Sequence, residues 1–141
     1  MGKIRVIIGM VGMDQHEVGA IAVSRILMEA GMEVIYLGSF QSPDSIVKAG
    51  IDEAADVIGI SCHSWEYLYF LPDILSMLKA RYVNIPVIVG GSIITDGDKK
   101  KLLEMGVAAV FESGSGKDEI IEKIKELAVE GTAQPCNVRA C

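Results

Sequence analysis

Short apolar runs alternate with longer amphipathic segments along most of the chain. The short runs are rich in β-branched residues, while apolar positions in the longer segments recur about every 3.6 residues, as on a helix with one buried face. This pattern predicts five strands alternating with five helices. The predicted strands are Lys3–Gly9, Glu33–Leu37, Val57–Ile60, Pro86–Val89 and Ala108–Phe111, and the predicted helices are Glu17–Ala30, Pro43–Ala54, Trp65–Arg81, Asp96–Met105 and Lys117–Glu130.

Strict alternation of strands and helices is typical of a parallel sheet covered by helices on both faces. We therefore expect an α/β fold with a flavodoxin-like, doubly wound sheet of five parallel strands in the order 2-1-3-4-5. Ser42 is expected to cap a helix that has Pro43 at its first position, and Gly106 is expected to end another. Pro72 lies inside a predicted helix, where it either kinks the helix or marks its true start. Residues 1–130 are expected to form one domain, and residues 131–141 a flexible C-terminal tail.

Composition narrows the possible function classes. The chain has 141 residues, of which 13 are basic and 19 acidic, giving a net charge of −6. This balance argues against nucleic-acid binding, and the one basic run, Lys99–Lys101, is interpreted as the solvated face of a helix. No apolar run approaches the ~20 residues needed to span a membrane, and no signal-peptide pattern follows Met1. The length is short for a complete two-domain enzyme.

Cysteine usage indicates a reducing compartment. The chain has three cysteines, and no spacing between them matches a zinc motif. Cys62 follows an apolar run and is predicted to be a reduced, partly buried thiol, while Cys136 and Cys141 fall in the expected tail. A cytoplasmic location is the simplest interpretation.

Both histidines of the chain follow predicted strands. In doubly wound sheets, ligands bind beyond the carboxyl ends of the strands, near the point where the strand order reverses. In Asp14-x-His16 the imidazole suits a transition metal, and the carboxylate two residues earlier can accept its other N–H and fix its tautomer. The same tripeptide also arises by chance, with Asp14 serving as a helix cap. The spacing alone leaves both interpretations open.

The wider pattern favours the first of these interpretations. Asp14-x-His16-x-x-Gly19, then Ser61, then Gly90-Gly91 resembles the signature of cobalamin-binding domains, and the resemblance extends over about residues 3–128. Four further stretches are similar to the carboxy-terminal domain of methylmalonyl-CoA mutase, namely Phe40–Pro43, Leu71–Asp73, Val89–Ile94 and Gly106–Phe111.

The resemblance implies a cofactor bound with its own base displaced and a histidine in its place. His16 would be the lower axial ligand of cobalt, Asp14 would hydrogen-bond its imidazole, and Gln15 lies between them in the same motif. The displaced nucleotide tail would run beside the sheet, where glycines leave space for it and where a serine hydroxyl meets its base. The cofactor-binding residues implied for the tail are Gly19, Ser61, Gly90, Gly91, Ser113 and Gly114.

One position departs from the family pattern. The family has Ser-x-Leu where this chain has Ser61-Cys62-His63, so a polar ring replaces an apolar wall of the base pocket. His63 is expected to stack on the base, to contact the corrin edge, or to face solvent or a partner subunit. It could also compete as a ligand, but its position in the motif disfavours that role. The aromatic residues that follow it, including Tyr69 and Phe70, are interpreted as core rather than as cofactor contacts, with any exposed part as a possible interface.

The resemblance implies the cobalamin-binding small subunit of an adenosylcobalamin-dependent acyl-CoA mutase. A larger, substrate-binding mutase subunit would be its partner, and no catalytic residue is expected in this chain beyond the cofactor ligand. The alternatives are a corrinoid carrier for methyl transfer, a stand-alone cobalamin-binding module, and a flavodoxin-like interaction protein that binds no corrinoid. Methyl carriers usually have a helical cap ahead of the binding domain, and this chain is expected to lack one because its first strand begins at Lys3.

Other activities of this fold class lack their residues here. A receiver domain needs an acidic residue after the third strand, where this chain has Ser61. A dinucleotide site needs Gly-x-Gly-x-x-Gly after the first strand, a pattern that Gly9 and Gly12 do not supply. A hydrolase needs a nucleophile beside a base, and the one candidate pair, Cys62 and His63, consists of neighbours that point to opposite faces of a strand.

Overall fold

Strands and helices alternate along the chain, as the sequence predicts. The structure, a computed structural model, describes residues 3–11, 17–62, 67–91, 94–112 and 115–133. The strands are β1 (Arg5–Val11), β2 (Glu33–Gln41), β3 (Val57–Ser61), β4 (Val87–Gly90) and β5 (Ala109–Phe111). The helices are α1 (Glu17–Glu29), α2 (Pro43–Asp52), α3 (Tyr67–Ala80), α4 (Asp96–Met105) and α5 (Lys117–Ala133).

The five strands form one parallel sheet in the order β2-β1-β3-β4-β5, which confirms the predicted flavodoxin-like topology. Alternate residues of β1 enter two separate apolar cores. Val6 and Ile8 pack with residues of α1 and α5, whereas Ile7 packs with residues of α2, α3 and α4. Because both faces are covered, the strands consist of nearly continuous apolar residues.

The ends of the helices follow their local sequence. Ser42 caps α2 in a reciprocal capping box with Ser45, and Pro43 occupies the first turn, as predicted. Gly106 ends α4 with a φ of 119°, in the left-handed region that glycine adopts without steric cost. Pro72 lies inside α3, so the helix continues through it rather than starting there. None of the described helices is long and apolar enough to cross a membrane.

β2 and α5 extend three or more residues beyond their predicted ends, whereas β1, β3 and β4 extend by only one or two. β2 continues four residues past Leu37, because the register with β1 shifts at Gly9 and lets the strand pass Gly38 as a bulge. Gly38 and the exposed Phe40 both have positive φ, at 87° and 60°. The last helix runs to Ala133 rather than Glu130, so part of the expected tail is helical, and residues 134–141 lie outside the described residues.

The exposure of side chains on α3 and α4 tests two predictions made from the sequence. Tyr69 is 70% exposed, with the edge of its ring against Phe70 at a centroid distance of 5.1 Å, so it is not the core residue that the aromatic run predicts. A helical aromatic run does not by itself say which side faces the sheet. Lys100 and Lys101 are exposed on α4, as predicted for a solvated face.

The carboxyl ends of β3 and β4 come unusually close together. Just beyond β3, the Cys62 amide donates a 2.7 Å hydrogen bond to the Gly90 carbonyl, and the Gly91 amide donates to the Phe111 carbonyl at 3.3 Å. A Cβ atom added to Gly91 would lie 1.6 Å from the Cys62 carbonyl oxygen. Real Cβ atoms essentially never approach another heavy atom within 3.0 Å. The close approach of the two strand ends therefore requires glycine at position 91.

Gly91→Ala is expected to lower the free energy of unfolding by about 3 kcal/mol, because the added methyl group must displace backbone rather than a flexible side chain. Gly90→Ala is the matched control, since its Cβ would meet Phe111 at an ordinary 3.5 Å, and it should change stability by less than about 1 kcal/mol. Urea denaturation followed by circular dichroism measures both. Equal effects of the two substitutions would contradict the prediction.

Candidate functional site

A groove opens on the face of the sheet that α1 and α5 cover. It encloses a cavity of about 300 Å³ and reaches the carboxyl ends of β3, β4 and β5. This size is at the lower end of the range for small-molecule sites, and its position matches the ligand position of doubly wound folds.

The floor of the groove is formed where the sheet lacks side chains. In the strand register, Gly59 lies between Ile8 and Ile88, and Gly90 lies between Ser61 and Phe111. A Cβ atom on Gly59 would point at Ile8 and lie 2.9 Å from its Cδ1 atom. The floor is therefore low along β3 and β4, with larger side chains rising on either side.

The walls of the groove are mostly apolar. On one side α1 contributes four small or medium residues, and on the other α5 contributes Ile120. The polar residues among the described lining residues are Ser61, Glu112 and Ser115. The residues of α1 that line the groove are Gly19, Ala20, Ala22 and Val23.

Four of the ten predicted site residues line this groove together. They are Gly19, Ser61, Gly90 and Gly91, which come from one helix, two strands and one strand end. The other six, Asp14, Gln15, His16, His63, Ser113 and Gly114, lie outside the described residues. The chain enters the motif segment from Val11, at the carboxyl end of β1, and leaves it at Glu17, the first residue of α1.

The structure gives Gly91 a different role from the one that the sequence predicts for Gly90 and Gly91 together. Sequence reasoning expects both to leave space for a ligand, but the volume that a Gly91 side chain would occupy is filled by the Cys62 carbonyl. Gly90 is the one of the pair that keeps the floor low. Gly91 has a packing role, which fixes β3 against the end of β4.

Gly59, Glu112 and Ser115 also line the groove and are not among the ten predicted site residues. A glycine inside an otherwise apolar strand signals a bulge or a close approach, and Gly59 fits the second case. Glu112 and Ser115 flank the predicted residues Ser113 and Gly114 in the same stretch after β5.

The described part of the groove is built for binding rather than for acid–base chemistry. The Cys62 thiol packs in the core on the opposite face of the sheet, 3.7 Å from the Ile60 carbonyl, so it does not enter the groove. Among the described residues, no group of three or more His, Cys, Asp or Glu side chains is placed to hold a metal ion. An elongated, largely apolar ligand with a few polar groups at the mouth fits this lining.

Known structures share the fold. A cobalamin-binding protein from Desulfitobacterium hafniense superimposes with a TM-score of 0.77 at 17% identity, over 89% of this chain and 59% of that one. At this level of identity the likeness concerns the fold alone.

Similarity of sequence identifies relatives at higher identity than these structures. The chain is 34% identical over 124 residues to the 2-hydroxyisobutanoyl-CoA mutase small subunit of Aquincola tertiaricarbonis, covering 88% of this chain and 91% of that protein. It is 33% identical over 131 residues to the pivalyl-CoA mutase small subunit of Xanthobacter autotrophicus, covering 93% of this chain and 88% of that protein.

The family model for the B12 binding domain matches residues 4–126, which include every strand and all of the described groove. The predicted resemblance is thereby confirmed, and the chain belongs to the B12-binding domain family.

Proposed function

We propose that this chain is the cobalamin-binding small subunit of an adenosylcobalamin-dependent acyl-CoA mutase and acts with a larger, substrate-binding subunit. The observation that carries the proposal is the similarity to two mutase small subunits over about nine tenths of each protein. Those two relatives act on different acyl-CoA substrates, so the similarity supports the reaction class and leaves the acyl group open.

The groove fits the nucleotide tail of the cofactor. Dimethylbenzimidazole is a flat, apolar base, and it suits a groove with glycine on its floor and aliphatic side chains on its walls. In this arrangement Gly59 and Gly90 provide depth, Ser61 offers its hydroxyl to the base, and Gly19 lets the tail pass close to α1. The residues after β5, including Ser113 and Gly114, would meet the polar parts of the tail.

His16 is proposed as the lower axial ligand of cobalt, with Asp14 accepting its second N–H and Gln15 beside it. Second-shell carboxylates of this kind orient the imidazole and raise its basicity. When bound, adenosylcobalamin supplies the radical chemistry through homolysis of its cobalt–carbon bond. The residues of this chain hold and orient the cofactor, and substrate contacts belong to the larger subunit.

Histidine ligation is tested with the visible spectrum of the chain mixed with cobalamin. The wild type is expected to give the spectrum of a cofactor with its base displaced and histidine bound. His16→Ala should abolish this change because it removes the nitrogen ligand, and Asp14→Ala should weaken binding about 10- to 100-fold. His63→Ala, at the chain's other histidine, is the matched control and should retain the wild-type spectrum. Loss of the spectral change in His63→Ala but not in His16→Ala would contradict the assignment.

The depth of the groove is tested with two glycines that have similar surroundings. An added methyl group would lie 2.9 Å from an isoleucine Cδ1 atom at Gly59, inside the groove, and 2.8 Å from one at Gly50, on the α2 side of the sheet. Gly59→Ala is expected to weaken cobalamin binding about tenfold, or ~1.4 kcal/mol, because the methyl group rises from the groove floor. Gly50→Ala should leave the affinity unchanged. Titration calorimetry measures the affinity of both variants for cobalamin. Equal affinities of the two variants would contradict the prediction that the nucleotide tail lies over Gly59.

The mutase assignment is tested by reconstitution. The chain loaded with adenosylcobalamin is expected to be inactive alone and to support acyl-CoA isomerisation when a mutase large subunit is added. The control is the same mixture with the His16→Ala chain, which should be inactive. Transfer of a methyl group from methylcobalamin to a methyltransferase partner, without isomerase activity, would instead support the corrinoid-carrier alternative.

A further inference from the structure

Phe40 has a backbone conformation that phenylalanine rarely adopts. It lies inside β2 with a φ of 60°, in the left-handed region that favours glycine, and it is 56% exposed. Two other described non-glycine residues, Ala54 and Tyr82, have positive φ, but each closely follows the end of a helix, where this conformation is an ordinary cap. Capping does not explain Phe40, which lies within a strand. Two residues earlier the chain meets the same requirement with Gly38.

The strained residue is part of a bulge that nearby side chains hold in place. The register with β1 shifts here, so that β2 places two residues opposite one. The Gln41 side-chain nitrogen donates to the Leu37 and Ser39 carbonyls, at 2.9 and 3.3 Å. Its side-chain oxygen accepts from the Ser45 hydroxyl, in the first turn of α2, at 2.8 Å. These contacts stabilise the bulge and so offset the cost of the conformation of Phe40.

Phe40 lies at the carboxyl edge of the sheet, where the motif segment begins. The end of β2 pairs there with Val11, the last described residue before the segment that contains His16. Two helices also begin at this edge, and each has an exposed apolar residue in its first turn, Val18 in α1 and Tyr69 in α3. Large apolar side chains exposed at one edge favour a surface that another protein covers.

From this strained, exposed residue we infer that Phe40 is an anchor of the interface with the larger mutase subunit, an inference that rests on the proposed function. A subunit that supplies the substrate must approach the edge at which the segment with the proposed cobalt ligand leaves β1. A second copy of this chain on that edge would cover the segment without bringing a substrate.

The cofactor tail is a poorer match for Phe40 than a protein partner is. The described groove is lined from β1, β3, β4 and β5, whereas β2 is an outermost strand and contributes none of the lining. Aromatic residues are enriched in protein interfaces, and a side chain that is already presented by a fixed backbone loses less freedom on binding. The bulge therefore has a use that matches its cost, because it presents an aromatic ring in advance of docking.

The test measures how tightly the chain, loaded with adenosylcobalamin, binds the mutase large subunit that restores isomerisation in the reconstitution. Phe40→Ala is expected to weaken this binding about 30-fold, a loss typical of an interface anchor. Phe40→Gly should cause the same loss without lowering the urea midpoint, because glycine removes the ring and also relieves the unfavourable φ. Neither variant should change the affinity for cobalamin.

Tyr82→Ala is the matched control. Tyr82 is also an aromatic residue with positive φ, at 57°, and it is 88% exposed, but it follows the end of α3 at the opposite edge of the sheet. Its removal should leave the affinity for the large subunit at the wild-type value.

Each other result overturns the inference. Wild-type affinity of Phe40→Ala for the large subunit would show that Phe40 is no anchor, and an equal loss in Tyr82→Ala would show no preference for the carboxyl edge. Weaker cobalamin binding in both Phe40 variants would assign the ring to the cofactor. A lone wild-type chain that is dimeric and becomes monomeric in Phe40→Ala would assign the ring to a second copy. A lower urea midpoint in Phe40→Gly would contradict the strain.

In all these cases the proposed function stands, because the wild-type chain still binds cobalamin and supports isomerisation. A wild-type chain that fails to bind cobalamin, or that supports no isomerisation with a mutase large subunit, overturns the proposed function itself.

Discussion

A parallel sheet covered on both faces leaves no room for a ligand over either face unless side chains are missing from it. Each strand residue points into one of two apolar cores, so an ordinary sequence would fill both faces completely. In this chain the face under α1 and α5 is opened at two adjacent strands, where Gly59 and Gly90 form a low floor. The groove, its position and its apolar character all depend on these two absent side chains.

On the opposite face of the sheet, side chains fill the space under the covering helices. There α2, α3 and α4 pack against a layer of aliphatic side chains that includes Ile58, Ile60 and Val89. The buried Cys62 belongs to this layer, and its carbonyl occupies the space beside Gly91. One face of the sheet is thus closely packed, while the other remains partly open for a ligand. Gly91 allows the ends of β3 and β4 to approach each other closely.

The proposed division of labour between two subunits agrees with the residues that line the groove. The buried apolar side chains fill the two cores, and the described groove lining has no pair of groups suited to proton transfer. A domain of this kind contributes the geometry of a cofactor, while reactivity comes from the cofactor and substrate recognition from another surface. Membership of the B12-binding family and the length-matched similarity to mutase small subunits agree with that division.

The sequence alone determined the element order, the parallel topology and the family, because hydrophobic periodicity, the Ser42-Pro43 cap, the Gly106 stop and the Asp14-x-His16 motif are local signals. It placed Gly19, Ser61, Gly90 and Gly91 in the site, and the structure brings these four together. It ended β2 too early, because a bulge at Gly38 is visible only when the register with β1 is known. Only the tertiary structure separated the roles of Gly90 and Gly91, and only it assigned Gly59 to the floor of the groove. Those assignments depend on which atoms of distant strands meet, and a spacing along one chain carries no information about distances between strands.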